Sequence, residues 1–279
     1  MWRWGMRKKI AYQGTRASFS EMAIQKFFSE DVECVGKVTF EDVFATLEKG
    51  EVELAALPVE NTLIGPIVEN FDLFSRYEIT VVGELCLPIE HCLVGRKGQK
   101  LEEIKKVYSH PKALAQCVGF FREHPWMEPM LHYDTAGAVK QIADLDNPQL
   151  AAIGSRKTAE VYQLEILKTH LEDDKSNTTR FLFLKQGALK ETQKKEGKCS
   201  LLFTLKHVPG ALAAVLTTLA EQGVNLTQIV SRPIREKPFE YLFFVDILFS
   251  EKVSMEKVLE LMRNQTEMLK LLGLYEPAK

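Results

Sequence analysis

Ile79-Thr-Val-Val-Gly-Glu-Leu-Cys-Leu-Pro-Ile-Glu-His-Cys-Leu-Val94 is an apolar, extended stretch far longer than the other strand-like runs of the chain, with Pro88 inside it. The mean strand is about five to six residues, so a run of this length reads as a strand that leaves one sheet and enters another. Outward from it, the same rhythm appears on both sides. Upstream, Lys9–Tyr12 predicts a strand, Ser20–Phe28 a helix and Leu54–Pro58 a buried strand. Thr39-Phe-Glu-Asp42 is close to a capping box and opens a helix ending at Gly50, and Val68–Tyr77 predicts another helix. Downstream, strands at Lys106–Ser109, Met130–Tyr133, Leu150–Ile153 and Arg180–Leu184 alternate with helices at Lys112–Glu123, Thr135–Leu145 and Arg156–Gln163. Such alternation implies parallel sheets covered on their faces. The polar stretch Glu172–Asn177 reads as the return crossing. Two α/β lobes follow, one of about residues 7–84 and 175–188, the other of about 85–174, with a cleft between them.

Lys190-Glu-Thr-Gln-Lys-Lys-Glu-Gly-Lys198 is charged and has a linker's composition. Beyond it, strands at Ser200–Lys206, Leu226–Arg232, Glu240–Phe249 and Met268–Tyr275 and helices at Gly210–Gln222 and Met255–Asn264 give the order βαββαβ. This is an α+β, ferredoxin-like small domain, expected over residues 198–276. Such domains expose sheet edges and pair through them, so a homodimer or homotetramer is expected.

The whole chain has 279 residues, a net charge of -2 and a hydrophobic fraction of 46%. That length accommodates two domains. The near-neutral balance gives no basic field for nucleic acid. No segment approaches the roughly 20 apolar residues that span a bilayer. The N-terminal Met1-Trp-Arg-Trp-Gly-Met-Arg-Lys-Lys is basic, but no long apolar stretch follows, so no secretory signal is read and the fold is expected to begin near Met6 or Arg7. Five cysteines, Cys34, Cys86, Cys92, Cys117 and Cys199, without a C-x-x-C, suit reduced thiols and a cytoplasmic setting. His91-Cys92 is the nearest approach to a metal pair. Neighbours on a strand point to opposite faces and chelate poorly, so no metal is expected.

No G-x-G-x-x-G, P-loop, H-E-x-x-H or G-x-S-x-G occurs. In open α/β sheets ligands bind beyond the carboxyl ends of the strands. The loops there are 14–20, 58–65, 109–116, 134–138, 154–155 and 177–181. They are rich in hydroxyls, amides and small residues: Glu60, Asn61 and Thr62; Ser109 and Gln116; Thr135; Ser155; then Asn177-Thr-Thr-Arg-Phe181. Any one of these hydroxyls, taken singly, reads sooner as a helix cap worth about 1 kcal/mol. Arg180 fits a charge anchor or a structural ion-pair partner equally. Several such loops converging on one cleft suit a small dianionic or zwitterionic ligand.

These words, in this order, resemble those of the prephenate dehydratase family. Leu57-Pro-Val-Glu-Asn-Thr-Leu-Ile-Gly65 resembles its P-x-E-N-S/T-x-x-G segment, and Ser109-His-Pro-Lys-Ala-Leu-Ala-Gln-Cys117 its S-H-P-Q-A-L-x-Q segment. Asp134-Thr-Ala, Ala151-Ala-Ile-Gly-Ser155 and Asn177-Thr-Thr-Arg-Phe181 resemble three more. Pro209-Gly-Ala-Leu212, Ser231-Arg-Pro233, Glu240-Tyr241 and Phe244-Val-Asp246 resemble the family's ACT-type regulatory domain. The resemblance runs from about Ile10 to Tyr275. It implies a two-lobed, periplasmic-binding-protein-like (type II) catalytic domain over residues 7–188, a carbon–oxygen lyase that needs no cofactor. The implied reaction turns prephenate into phenylpyruvate in phenylalanine biosynthesis, under allosteric control by L-phenylalanine.

The resemblance also implies residue roles. Thr179 would touch the leaving hydroxyl, with Glu60 or a water as proton source. Asn61, Ser109 and Gln116 would orient substrate, and Thr62, Thr135, Ser155 and Arg180 would hold it. Phe181 would pack beneath Thr179. A phenylalanine site between subunits would use Gly210, Ala211 and Leu212, with Asn225 and Leu226 opposite and Ser231, Arg232 and Pro233 shaping the connection. Three positions depart from the family pattern. Ala17 stands where a second glycine is usual, in a loop that also lacks the proline after Gly14. Lys112 replaces a glutamine, and Val230 a glutamate. Arogenate dehydratase and a non-catalytic amino-acid sensor are the competing readings. No chorismate mutase region is read.

Overall fold

The computed structural model describes residues 7–28, 31–145, 147–189, 196–234 and 237–278. The first lobe is a mixed sheet and not the parallel one expected, because the strand that returns from the second lobe enters it antiparallel to both of its neighbours. Strands β1 (Lys9–Gln13), β2 (Glu33–Lys37), β3 (Leu54–Asn61), the short β4 (Gly65–Pro66) and β5 (Ile79–Pro88) alternate with helices α1 (Phe19–Phe27), α2 (Phe40–Glu48) and α3 (Val68–Arg76). The spatial order is β2-β1-β3-β11-β5, where β11 (Thr178–Gln186) is the returning strand, antiparallel to both neighbours. Thr39 caps α2 in a full capping box with Asp42, as the spacing of the two residues predicts.

The second lobe holds β6 (Cys92–Gly95), β7 (Lys106–Ser109), β8 (Glu128–Leu131), β9 (Leu150–Gly154) and β10 (Glu165–Lys168) in the order β10-β6-β9-β7-β8. Its helices are α4 (Pro111–Ala115), α5 (Val118–Glu123), α6 (Thr135–Leu145) and α7 (Arg156–Val161). The expected continuous helix Lys112–Glu123 is broken at Gln116 and Cys117. Asp173, from the return crossing, accepts from Val118 N at 3.0 Å and Gly119 N at 2.8 Å, so a tertiary contact supplies the cap that starts α5. The strand β10 carries no signal that separated it from a loop.

The long apolar stretch does divide between two sheets. β5 stays in the first sheet through Pro88, which pairs with Thr178, beyond the boundary expected near residue 84. The polypeptide crosses at Ile89–His91 because Pro88 and its register partner end that ladder. Ile89 N donates to Asn177 O at 2.8 Å, and Leu171 N to His91 O at 3.0 Å. The outgoing and returning crossings therefore run side by side.

The third sheet is built from β12 (Gly197–Thr204), β13 (Asn225–Pro233), β14 (Tyr241–Phe249) and β15 (Met268–Tyr275), in the order β13-β14-β12-β15, all antiparallel. Helices α8 (Ala211–Glu221) and α9 (Met255–Arg263) cover one face, around Phe203, Val215, Val245 and Met262. Gly197 and Lys198, expected in the linker, open β12; residues 190–195 of that linker, like the expected start near Met6, lie outside the described residues.

The other face of this sheet does not meet solvent. Leu202, Val230, Phe244 and Leu272 share one core with Phe71, Phe74, Val81 and Leu182 of the first lobe. Gly273 lies where a Cβ would stand 2.3 Å from Val81 O. The small domain is thus docked on the back of the first lobe. Among the described residues no helix is long and apolar enough to cross a membrane.

Candidate active site

Between the lobes lies a cavity of ≈ 320 Å³. Its wall takes residues from five of the six loops singled out by sequence: Ser18 and Phe19, Pro58 and Asn61, His110 and Gln116, Asp134 and Thr135, Thr179 and Phe181. Its polar centre is a set of side-chain hydrogen bonds spanning both lobes. Asn61 Nδ2 donates to Asn177 Oδ1 at 2.7 Å and to Thr179 Oγ1 at 3.0 Å. Asn61 Oδ1 accepts from Leu63 N at 3.0 Å and Ile64 N at 3.2 Å, which turns the chain after β3 and fixes the amide's orientation. Gln116 Oε1 accepts from Asn177 Nδ2 at 3.2 Å, and Gln116 Nε2 lies 3.4 Å from Asn61 Oδ1. The break between α4 and α5 is what presents Gln116 to this set.

His91, at the lobe crossing, completes it. Its Nε2 is 2.8 Å from Gln116 Oε1. That oxygen only accepts, so Nε2 carries the proton and Nδ1 is bare. Nδ1 is buried without a hydrogen-bond partner among the described residues. Burial pushes the His91 pKa down, against the opposing effects of Gln116 and Glu172, and keeps the ring neutral. Phe19 meets the ring edge-on at 5.9 Å. Lys112, His110, Tyr133 and Glu69 also line the cavity, and among the described residues Lys112 is the one lysine or arginine on its wall. Burial lowers the His110 pKa, with Lys112 acting in the same direction.

The loop 14–20 reaches across to the second lobe. Thr15 Oγ1 donates to Asp134 Oδ1 at 3.3 Å, and Ser155 Oγ is 3.4 Å from Ala17 O. Ala17 takes a left-handed conformation, φ 65°, at the position where glycine would cost nothing. Its N–H is tied to Glu21 Oε2.

Several expected site residues lie elsewhere. Glu60 and Arg180 are register partners one residue from Asn61 and Thr179, so the pleat sends both to the opposite face of the sheet. There Glu60 Oε2 lies 3.3 Å from Arg180 Nε, and neither side chain lines the cavity. Ser109 is fully buried, with its hydroxyl donated to Ile153 O at 2.8 Å. Thr62 joins Ser176 O and Thr178 N at the turn. Ser155 caps α7 through Thr158 N. These three hydroxyls are spent within the fold. Asn61, Gln116, Thr135, Thr179 and Phe181 are brought together. His91, His110 and Tyr133 escaped the sequence reading, although His91 and His110 stand inside segments it had singled out; their positions relative to the cleft depend on tertiary placement.

In the small domain, Gly210, at φ 83°, precedes α8. Ala211 and Leu212 line a cavity of ≈ 130 Å³ with Val208 and Tyr241. Asn225, Leu226, Ser231 and Pro233 lie along β13, outside that wall. Arg232 instead holds Asp72 of α3 at 2.7 and 2.8 Å, a bidentate pair that docks the domain. Val230 is buried against the first lobe, so its departure from the family pattern falls at the domain seam.

A family model described as prephenate dehydratase matches residues 10–188, and one described as the ACT domain matches residues 200–254. The chain belongs to the prephenate dehydratase family. It is 37% identical over 97% of its length, and over 73% of the relative, to arogenate dehydratase/prephenate dehydratase 2 of Arabidopsis thaliana. Among solved structures, a prephenate dehydratase of Arthrobacter aurescens in complex with L-Phe superposes with a TM-score of 0.86 at 25% identity, covering 96% of this chain and 89% of that one. GqqA, described as a novel type of quorum quenching acylase, gives a TM-score of 0.87 at 29% identity, covering 97% and 98%. Proteins of this one fold thus carry different activities, and the site has to choose between them.

Proposed function

We propose that this protein removes water and carbon dioxide from prephenate to give phenylpyruvate, as a cofactor-free carbon–oxygen lyase of phenylalanine biosynthesis. The observation that carries this reading is the state of the Thr179 hydroxyl. Its oxygen accepts from Asn61 Nδ2, and an amide nitrogen can only donate. The hydroxyl proton is therefore free to point into the cleft. As the ring carboxylate leaves as carbon dioxide, its bonding pair enters the ring, aromatises it and expels the ring hydroxyl. Thr179 donates to that oxygen where negative charge develops. The departing hydroxide is neutralised by one proton of the medium, so that prephenate dianion and one proton give phenylpyruvate anion, carbon dioxide and water. Glu60, facing away from the cavity, has no part in this step.

Asn61, Gln116 and Asn177 hold Thr179 in place, Lys112 and Thr135 receive the carboxylates, and Phe19 and Phe181 shape the apolar floor. Closing the lobes excludes water and strengthens each contact. Residues 7–188 act as the catalytic domain and 198–276 as the regulatory domain. L-phenylalanine is the effector, bound near Gly210–Leu212 where a second copy completes the site, in a homodimer or homotetramer of the cytoplasm. Arogenate, the amino analogue, is the alternative substrate.

The test is to add purified protein to prephenate near neutral pH and follow phenylpyruvate, with and without L-phenylalanine, then to repeat with arogenate. Turnover suppressed by phenylalanine is the expected result. Absence of turnover on both substrates would overturn the reading.

A further inference from the structure

Thr179 and Arg180 are neighbours on β11 that leave on opposite faces of the sheet. Thr179 opens on the cleft; Arg180 enters the seam with the regulatory domain, where its side chain is 9% exposed. There Nη1 is 2.9 Å from Glu84 Oε2 and 2.6 Å from Asp246 Oδ2, and Nη2 donates to Gln228 Oε1. Lys198 Nζ bonds both oxygens of Glu84, at 3.1 and 3.0 Å. Asp246, itself fully buried, accepts from Ser200 Oγ, which meets Tyr275 OH at 2.7 Å. Glu60 and Glu84 belong to the catalytic domain; Asp246, Gln228, Lys198, Ser200 and Tyr275 belong to the regulatory one.

A buried ion cluster of this kind is weak evidence for stability, because apolar replacements of similar volume are often as stable. Its effect is to be sought in geometry. The register of β3 against β11 shifts between Arg180 and Phe181, where Val59 is the extra residue on β3, while β11 keeps unbroken register with β5 from Thr178 to Phe183. Beside the bulge the β3 side of the ladder is locally disrupted, so on that side what holds Arg180 bears on how Thr179, its neighbour on β11, is placed. The cluster is also incompletely satisfied. Arg180 Nε–H, poorly aligned with Glu60, and Gln228 Nε2 are buried without hydrogen-bond partners among the described residues. Such a cluster has room to rearrange when the domains shift.

We propose that Arg180 is a positioning residue, through which Asp246 and Gln228 of the regulatory domain set the aim of the Thr179 hydroxyl. This rests on the dehydratase reading and adds a direct physical link from the regulatory sheet to the reacting group. The link is short: a displacement of β13 or β14 moves the guanidinium, and the guanidinium pulls on β11 beside the bulge of β3, one residue from Thr179.

The experiment uses the full chain with Gln228→Met, which removes an acceptor of Arg180 and alters no residue of the catalytic domain. Gln228→Glu keeps that acceptor, and Ser200→Ala is a milder change that loosens Asp246. The readouts are kcat and KM for prephenate and the thermal midpoint. Wild-type turnover tests the dehydratase reading; the ratio of variant to wild type tests this one. Q228M should lower kcat by about 10-fold, within the ~10²-fold that a 1 Å misplacement brings, with KM unchanged and with Q228E restoring most of the rate. S200A should change kcat in the same direction by less, and serves if Q228M does not fold. In a Thr179→Val background Q228M should have no further effect, since the group it aims is gone. A folded Q228M or S200A with wild-type kcat, or an equal loss with and without the Thr179 hydroxyl, would overturn the proposal.

Discussion

Asn61 Nδ2 donates to Thr179 Oγ1 at 3.0 Å, and this direction of donation decides what Thr179 can do. A hydroxyl that accepts from an amide keeps its own proton for a ligand. Thr179→Val deletes that proton at nearly constant shape. The expected outcome is a fall in kcat of about 10²- to 10³-fold, the cost of removing one aimed donor at a developing oxyanion, with KM changed little. Thr179→Ser should retain most of the rate. A steady-state comparison of the three proteins measures it.

Asn61→Asp tests the same point from the partner's side. The new carboxylate has the same size but accepts instead of donating. It draws the Thr179 proton toward itself and away from the cleft, and it loses the bond to Asn177 Oδ1. kcat should fall about as far as in T179V, although the Thr179 hydroxyl is still present. Thermal unfolding alongside the kinetics separates this from loss of fold.

His91 gives a pH dependence with a definite sign. Burial lowers its pKa below the ordinary 6.5. Below 6.5 the unfolded chain takes up a proton that the folded chain refuses. The His91 contribution to stability is therefore complete above pH 6.5 and is lost as pH falls from 6.5 through the lowered native value. Urea midpoints from pH 7.5 down to 5 should decline, and His91→Gln should flatten the decline. An unchanged slope in that variant would count against the neutral buried ring.

Lys112 stands where the family pattern has glutamine, and among the described residues it is the one lysine or arginine on the cavity wall. A cation there favours a doubly anionic ligand over one carrying an ammonium. Lys112→Gln should raise KM for prephenate by about 2- to 5-fold, the range of a solvent-exposed ion pair, and leave KM for arogenate unchanged or lower. Equal effects on both substrates would remove Lys112 from substrate choice.

Gly273 packs its α-carbon against the Val81 carbonyl. Gly273→Ala places a methyl against rigid backbone at the seam between the domains. Overpacking of this kind costs about 1–3 kcal/mol. The thermal midpoint should fall, and limited proteolysis between the domains should accelerate.

Much of the architecture was legible without coordinates. Alternating apolar runs and helical patterns predict three sheets. The length of the extended segment Ile79–Val94 marks the crossing, although the boundary expected near residue 84 lies short of the observed one, because β5 stays in the first sheet through Pro88. The capping box at Thr39 and Asp42 needs only local spacing, and so it is found where expected. Loops at strand ends converge on one cleft because open α/β sheets place ligands there. Asn61, Gln116, Thr135, Thr179 and Phe181 follow from that rule together with the family words.

The errors share one cause, which is that a side chain's face and partners are tertiary properties. Glu60 is adjacent to Asn61, and Arg180 to Thr179, so all four look alike in sequence. Only the pleat puts two in the cleft and two behind it. Ser109 and Ser155 match family words, but their hydroxyls serve Ile153 O and the cap of α7. The helix break that delivers Gln116 depends on Asp173, which is distant in sequence. The sequence by itself determined which elements form and in what order, since capping, turn chemistry and hydrophobic period act over a few residues. Which residues face the cleft, and that the third sheet grips Arg180 next to Thr179, was decided only when strands far apart in the chain were packed into one buried seam.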